Sequence, residues 1–233
     1  AILANLGMST EHGVFKVFYE AGIVTELFPL LIFIGVGAMI DFRPLLALPK
    51  MALLGAAGQF GIYMTLLLAI LLGFPMNQAA SIGVIGAIDG PTAIFVTSKL
   101  APEILAPVTV AAYSYMSLIP IIQIPLMKRM TTRKERLIRM EYAAKPVSDK
   151  VIIAFPIVVT IIISLVAPDA APLIATLMLG NLLRESGVVD RLSKAAQNEI
   201  INIATLFLGL TIGATMTDEK FLTVQPLMIL GLG

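Results

Sequence analysis

The residues of this chain best suited to chemistry are Asp89, Gly90, Pro91 and Thr92. Between Met51 and Ser98, Asp89 is the only formal charge. It stands beside the two residue types least suited to a helix interior. Gly90 permits backbone angles that other residues avoid, and Pro91 lacks an N–H and has a fixed φ suited to the first position of a new helix. The stretch from Ser81 to Phe95 therefore reads as a broken helix, with half-helices at 81–87 and 91–98 meeting at Asp89. Such a break frees carbonyls at the end of one half and aims N–H groups from the start of the other, which is how transporters build small-ion sites near the bilayer midplane. Na⁺ is a hard cation that takes oxygen ligands, and Asp89, Thr92 and the carbonyls freed around Gly90 would supply them. An ionisable residue inside a span costs about 2.5 to 3.5 kcal/mol on insertion scales, so it points to function. The competing reading is a Gly-Pro turn in an ordinary loop with a solvated aspartate.

The elements that must position Asp89 belong to a membrane. Hydrophobic residues make up 58% of the chain and charged residues 13%, with mean hydropathy +0.94, against about 45–50% and about 25% in soluble domains. The fold class expected is an all-α polytopic membrane protein. A net charge of +1 gives no sign of a nucleic-acid partner. With no cysteine and one histidine, His12, there is no disulfide, no thiolate metal site and no His cluster for zinc or a triad. The chain begins at Ala1 without a signal-peptide pattern, and reads as an excised portion of a longer protein.

In chain order, Val14 to Tyr19 suits a short interfacial helix. Phe28 to Ile40 is apolar but only 13 residues long, short of the roughly 20 a span needs unless it extends upstream or packs inside the protein. Asp41 follows as either a second ion ligand or a helix-end carboxylate at headgroup level. Met51 to Phe74 reads as a full span, with Gly55, Ala56 and Gly58 permitting close helix contact and Gln59 and Tyr63 on one face. Ala101 to Met127 is a second long span containing Pro107, Pro120 and Pro125, expected to be kinked and buried in protein. Tyr113, Tyr115 and Gln123 on it are polar groups able to line a cavity, the alternative for the tyrosines being an interfacial belt. The segment 128–150 carries eight of the sixteen basic residues and is cytoplasmic by the positive-inside rule. Apolar segments at 151–167, 171–183 and 198–216 follow. Asn198, Asn202 and Thr205 lie on one face of the last, a stripe that lines a cavity or packs on another helix.

The chain also repeats itself. Gly37-Ala38 aligns with Gly213-Ala214 at an offset of 176, which also pairs Ile34 with Leu210, Val36 with Ile212 and Gly55 with Gly231. If the Asp89 segment is re-entrant, the two halves are inverted and Arg43 and Lys50 fall on the basic side. The expected architecture is an inverted-repeat, transporter-like helical bundle with a broken re-entrant helix at Asp89. Its divisions are a first half at 1–127 with the re-entrant segment at 77–98, a cytoplasmic loop at 128–150, and the start of a second half at 151–233. The counterpart of Asp89 would fall past Gly233.

Several long strings carry a resemblance. Gly37 to Phe42, Gly86 to Ile94, Val110 to Met116, Glu135 to Met140 and Gly180 to Val189 closely resemble the membrane beta subunit of biotin-dependent sodium-pumping decarboxylases, the oxaloacetate, methylmalonyl-CoA, glutaconyl-CoA and malonate enzymes. The likeness covers essentially the whole chain, in family order. It implies that a biotin-carrying carboxyltransferase alpha subunit delivers carboxybiotin, and that this subunit decarboxylates it while exporting Na⁺ and consuming a proton. It implies Asp89 as the Na⁺ and proton-coupling residue and Tyr115 as a participant. It further implies a small single-span gamma/delta-type membrane subunit, a homo-oligomer, and a bacterial or archaeal plasma membrane. Gly86-Ala87-Ile88 replaces the commoner Gly-Gly-Ala before Asp89, which alters packing beside the site more than its chemistry. The family's later Asn, Gly, Ser and Arg site residues and its first span are not matched here, so the chain holds half of the implied site.

Two other classes fit the same residues. One is a sodium-coupled carboxylate secondary transporter without decarboxylase chemistry. The other is a non-catalytic anchor in which Asp89 holds helices together. Met127-Lys128-Arg129-Met130 lacks the Ala-Met-Lys-Met biotin-attachment pattern, so a decarboxylase needs biotin on a separate chain.

Overall fold

The computed structural model describes residues 13–138, 147–216 and 223–232, with the side chain of Pro120 left aside. His12, Arg139, Lys145 and Asp218 to Lys220 lie outside the described residues. All regular structure within them is helical, and three helices are long and apolar enough to cross a membrane, or up to five if each bent pair counts as one span. The chain is a multi-pass membrane protein. Its many exposed leucines, isoleucines and valines are the surface such a protein offers to lipid or to other helices.

The first unit is α1 (Gly13–Phe18), a π-helical turn (Tyr19–Val24) and α2 (Leu27–Met39). The two parts meet at a bend of 57°. The upstream segment is joined directly to the 13-residue apolar stretch, and together they are long and apolar enough for a broken span or a re-entrant loop. Pro29 explains the break, since it has no N–H to give the Thr25 carbonyl. After α3 (Arg43–Ala47) comes α4 (Ala52–Leu71), 20 residues and about 30 Å of helix, enough to cross a bilayer core. Gly73, at φ 89°, and Pro75 end it.

A helical hairpin follows. Its first arm is α5 (Met76–Gly83) continued by a 3₁₀ turn (Val84–Ala87), and its second is α6 (Gly90–Leu100). The arms are antiparallel, because the Asn77 Nδ2 donates to the Leu100 carbonyl at 3.0 Å. They measure about 20 and about 16 Å. Helix α7 (Leu105–Met130) runs back along α6 and bends by 46° around position 120, as expected of a helix holding Pro120 and Pro125. Its first turns are buried, but its residues from Met116 onward are mostly exposed, so only half of the helix is enclosed. A capped turn, α8 (Arg133–Arg136), closes this part.

Helices α9 (Asp149–Val166) and α10 (Ala171–Glu185) form a second antiparallel pair. Helix α10 packs parallel to α2 in a backbone-to-backbone approach. A Cβ at Gly37 would lie 1.8 Å from the Leu177 carbonyl oxygen, and one at Gly180 would lie 2.0 Å from that of Ile34. Only glycine permits that contact.

The α1–π–α2 unit then recurs as α11 (Asp190–Ala195), a π turn (Ala196–Ile200) and α12 (Ile201–Thr215). The offset is the one found in the sequence, 19–24 mapping onto 195–200. Helices α2 and α12 pack antiparallel, with Gly35 against Ala196 and Ile201 and Phe28 stacked on Phe207 at 6.1 Å. Phe28 and Ile32 share one core cluster with Ala204 and Leu208, their counterparts 176 positions on. The chain ends in α13 (Val224–Leu232), beside α7 and α4.

Candidate ion-binding site

The break lies at the hairpin tip. Ile88 is left-handed, with φ 56° and ψ 40°, and Asp89 is extended, with φ −123° and ψ 100°. Together they turn the chain from one arm into the next. The Thr92 Oγ1 donates to the Asp89 Oδ2. No ion pair to Asp89 occurs among the described residues. A continuous helix would give the Gly86 carbonyl the Gly90 amide and the Ala87 carbonyl the amide of residue 91. Here the Gly90 N–H is directed at the Met116 Sδ, 3.3 Å away, and Pro91 has no N–H. The tip thus assembles one carboxylate, one hydroxyl and backbone carbonyls without helical donors, a set of hard oxygen ligands. Among the described residues no three His, Asp or Glu side chains cluster as a metal site, so any cation here would rest on a single carboxylate and neutral oxygens.

The tip is held by backbone contact. A Cβ at Gly61 would sit 2.7 Å from the Gly86 carbonyl oxygen, and one at Gly86 would sit 2.5 Å from that of Gly61. Gly61 is at the middle of α4, so the tip lies against the midpoint of a helix long enough to cross a bilayer core. Gly55 and Gly58, expected to make the close contact, face open space instead. Gly86 of the hairpin meets α4 at Gly61, and Gly83 meets it at Leu66.

Of the expected residues, the fold gathers Asp89, Gly90, Thr92 and Tyr113. The Tyr113 ring would be 2.8 Å from a Cβ on Gly90, so it lies on the break and fixes glycine there. The Tyr115 hydroxyl points elsewhere, donating to the Leu230 carbonyl of α13. Gln123 is exposed beyond the bend of α7. Asn198, in the π turn, and Asn202 and Thr205, along α12, are exposed, and the Asn198 Nδ2 donates to the Lys194 carbonyl at 2.8 Å. Within this chain they line no cavity with Asp89. Met116 was not anticipated. Its one signal is its place in the string that ends Tyr113-Ser114-Tyr115-Met116.

Asp41 belongs to another cluster, where α2 and α10 end together. Arg43 lies 2.6 Å from Glu185 and 3.9 Å from Asp41, and Arg184 lies 3.4 Å from Glu185 and 3.8 Å from Asp41. Arg184 also donates to the Met39 carbonyl at 2.6 Å and Asn181 to that of Ile40 at 2.9 Å. Two guanidiniums thus pair with two carboxylates, although the buried Glu185 Oε1 accepts no hydrogen bond, and Arg184 and Asn181 cap the last carbonyls of α2.

With this geometry established, known proteins fall into line. The profile of the Na⁺-transporting oxaloacetate decarboxylase beta subunit matches residues 1–233. The oxaloacetate decarboxylase beta chain of Klebsiella pneumoniae is 53% identical over 232 residues, 97% of this chain and 53% of that protein. The methylmalonyl-CoA decarboxylase subunit beta of Propionigenium modestum is 59% identical over 208 residues, 89% of this chain and 52% of that protein. The glutaconyl-CoA decarboxylase subunit beta of Acidaminococcus fermentans is 51% identical over 235 residues, covering this whole chain and 62% of that protein. The chain spans about half the length of the curated relatives it matches. It belongs to the family of beta subunits of the Na⁺-transporting oxaloacetate decarboxylase.

Proposed function

We propose that the protein is the membrane beta subunit of a sodium-translocating decarboxylase, coupling decarboxylation of carboxybiotin to Na⁺ export with consumption of a proton. The observation that carries this reading is the lone Asp89 carboxylate at a helix break held to the centre of α4. Hairpin arms of about 16 to 20 Å, with both outer ends at one level, support a re-entrant segment reaching the middle of a core about 30 Å thick. The antiparallel packing of α2 on α12, with equivalent residues in one core cluster, supports inverted halves. The basic residues Lys128, Arg129, Arg133, Lys134 and Arg136 follow the end of α7 that lies past the tip, which supports a cytoplasmic loop at 128–150 in a bacterial or archaeal plasma membrane.

Na⁺ enters from the cytoplasm and is held by Asp89, the Thr92 hydroxyl and the carbonyls freed around Gly90. Moving it against about 100 mV costs about 2.3 kcal/mol per charge, so an exergonic step must drive it. Carboxybiotin is the substrate for that step, delivered by a biotin-carrying alpha subunit. A desolvated site favours loss of CO₂, because a dispersed charge suffers less than a carboxylate from losing water. Asp89 cannot hold Na⁺ and a proton equally well, and that competition provides the coupling. Tyr115 takes part in the proton route from its place on the Leu230 carbonyl, and Tyr113 covers the break. A small gamma/delta-type membrane subunit and further beta copies complete the assembly.

The test is avidin-sensitive ²²Na⁺ uptake into inverted vesicles carrying the full-length complex, with CO₂ release followed in parallel. In Asp89→Asn both signals fall to background while the complex still assembles with its biotinylated partner. Uptake that persists in the mutant, or that needs no biotinylated partner, overturns the reading, the second result in favour of a sodium-coupled carboxylate transporter.

A further inference from the structure

Two non-glycine residues have positive φ among the described residues, Ile88 at 56° and Glu26 at 63°. They bracket the same helix. Ile88 precedes α6 at the tip, and Glu26 meets its other end, with its carboxylate 3.5 Å from the Lys99 ammonium. The Glu26 side chain is only 15% exposed. Lys99 is held a second time, with its Nζ 4.8 Å from the centroid of the Phe95 ring. A left-handed glutamate at a helix break is an unfavourable backbone state that persists only where surrounding structure enforces it.

The repeated unit supplies an internal control. The 26-residue helix Asp190–Thr215 passes straight through Asn202, the counterpart of Glu26 at an offset of 176. The fold therefore does not need the break. The first copy encodes it instead. Pro29 removes the amide that would bridge it, and Gly22 lets the Phe28 ring fold back to 2.0 Å from where a Cβ would be. The second copy has Thr205 and Asn198 at those places. What the break gains is a carboxylate turned onto the end of the hairpin arm remote from Asp89.

We propose that Glu26 and Lys99 form an ion-pair gate at this end of the pathway, in which the tethered ammonium occupies a carboxylate that a departing monovalent cation takes when Lys99 swings away. The gate rests on the reading of Asp89 as the Na⁺ site. One arm of α6 then carries both ends of the route, so a tilt of the hairpin that alters the tip also strains the pair.

The full-length complex, reconstituted in sealed vesicles, tests it through passive ²²Na⁺ efflux and Na⁺ taken up per CO₂ released. Glu26→Gln and Lys99→Met each raise the leak and lower the Na⁺ to CO₂ ratio by about threefold, the factor a partly exposed ion pair is worth. CO₂ release itself continues. The charge swap Glu26→Lys with Lys99→Glu brings the leak back toward wild type. Single variants with an unchanged leak and ratio overturn the gate, as does a swap as leaky as the singles. Should Glu26→Gln fail to assemble, Lys99→Met, at the exposed end of α6, carries the same comparison. Asp89→Asn in the same vesicles separates the two ideas. Uptake surviving that change removes the Asp89 reading, whereas silent gate variants beside an inactive Asp89→Asn remove the gate alone.

Discussion

Two carboxylate sites in this molecule sit at helix ends and are built in opposite ways. At the joint end of α2 and α10, Asp41 and Glu185 are matched by Arg43 and Arg184, and Glu185 is 2% exposed with both partners in reach. At the hairpin tip, Asp89 has a threonine hydroxyl and no cation among the described residues. A cluster whose carboxylates and guanidiniums pair with one another is a fastening. An ionisable group at a helix break in an apolar stretch points to function, which is why Asp89 and not the paired carboxylates is the transport candidate. Asp41, which the sequence left open between ion ligand and helix-end carboxylate, stands with the fastening.

Mutations should separate the two sites. The largest effect is expected from Asp89→Asn, which abolishes Na⁺ uptake and leaves thermal stability of the purified complex unchanged or raised. Arg43→Ala should do the converse, removing the shorter of the two contacts to Glu185 at a cost of about 1 kcal/mol, since the Arg43 side chain is half exposed and Arg184 remains. Its melting temperature falls, while the Na⁺ dependence of the remaining activity stays where it was. Thr92→Val retains the shape of the tip and removes one oxygen, so the Na⁺ concentration for half-maximal activity should rise by about tenfold, or about 1.4 kcal/mol. If Arg43→Ala instead shifted that concentration and Thr92→Val did not, the assignment of roles would be reversed.

The smallest effect belongs to a carboxylate outside both sites. Glu135 accepts from the Thr132 backbone N–H at 2.7 Å and hydroxyl at 2.8 Å, and those bonds hold its carboxyl below the ordinary glutamate value. The sign follows from a lowered folded value. The capping box contributes fully above the ordinary glutamate pKa and is lost as pH falls through the folded one. Hydrogen exchange of the Arg133–Arg136 turn should therefore quicken at acid pH and in Glu135→Gln, with Na⁺ transport at neutral pH unaltered.

The tip was legible in the sequence because its signals are local. A single charge in a long apolar run and a Gly-Pro pair name a break without any partner being known. The long span at α4 and the basic segment after α7 were legible for the same reason. Contacts across the chain were not. Composition marks Gly55, Gly58 and Gly61 alike as small, and only the hairpin's placement selects Gly61. The Asn198, Asn202 and Thr205 stripe was visible as a face, but periodicity does not say which surface a face meets. The repeat at 176 was legible as scattered identities. The shared α–π–α order, and the reason one copy bends at Glu26 and the other does not, needed the three-dimensional arrangement, although Pro29 was there to be read.

The central claim is that Asp89 holds the transported Na⁺ directly. Its most direct test is modification of the Asp89 carboxyl by a hydrophobic carbodiimide in the full-length complex, followed by mass spectrometry across a Na⁺ titration. The account predicts that labelling is rapid without Na⁺ and is suppressed as Na⁺ rises over the range that supports activity, with Asp41 and Glu185 labelled slowly throughout. Labelling of Asp89 at a rate indifferent to Na⁺ would contradict it.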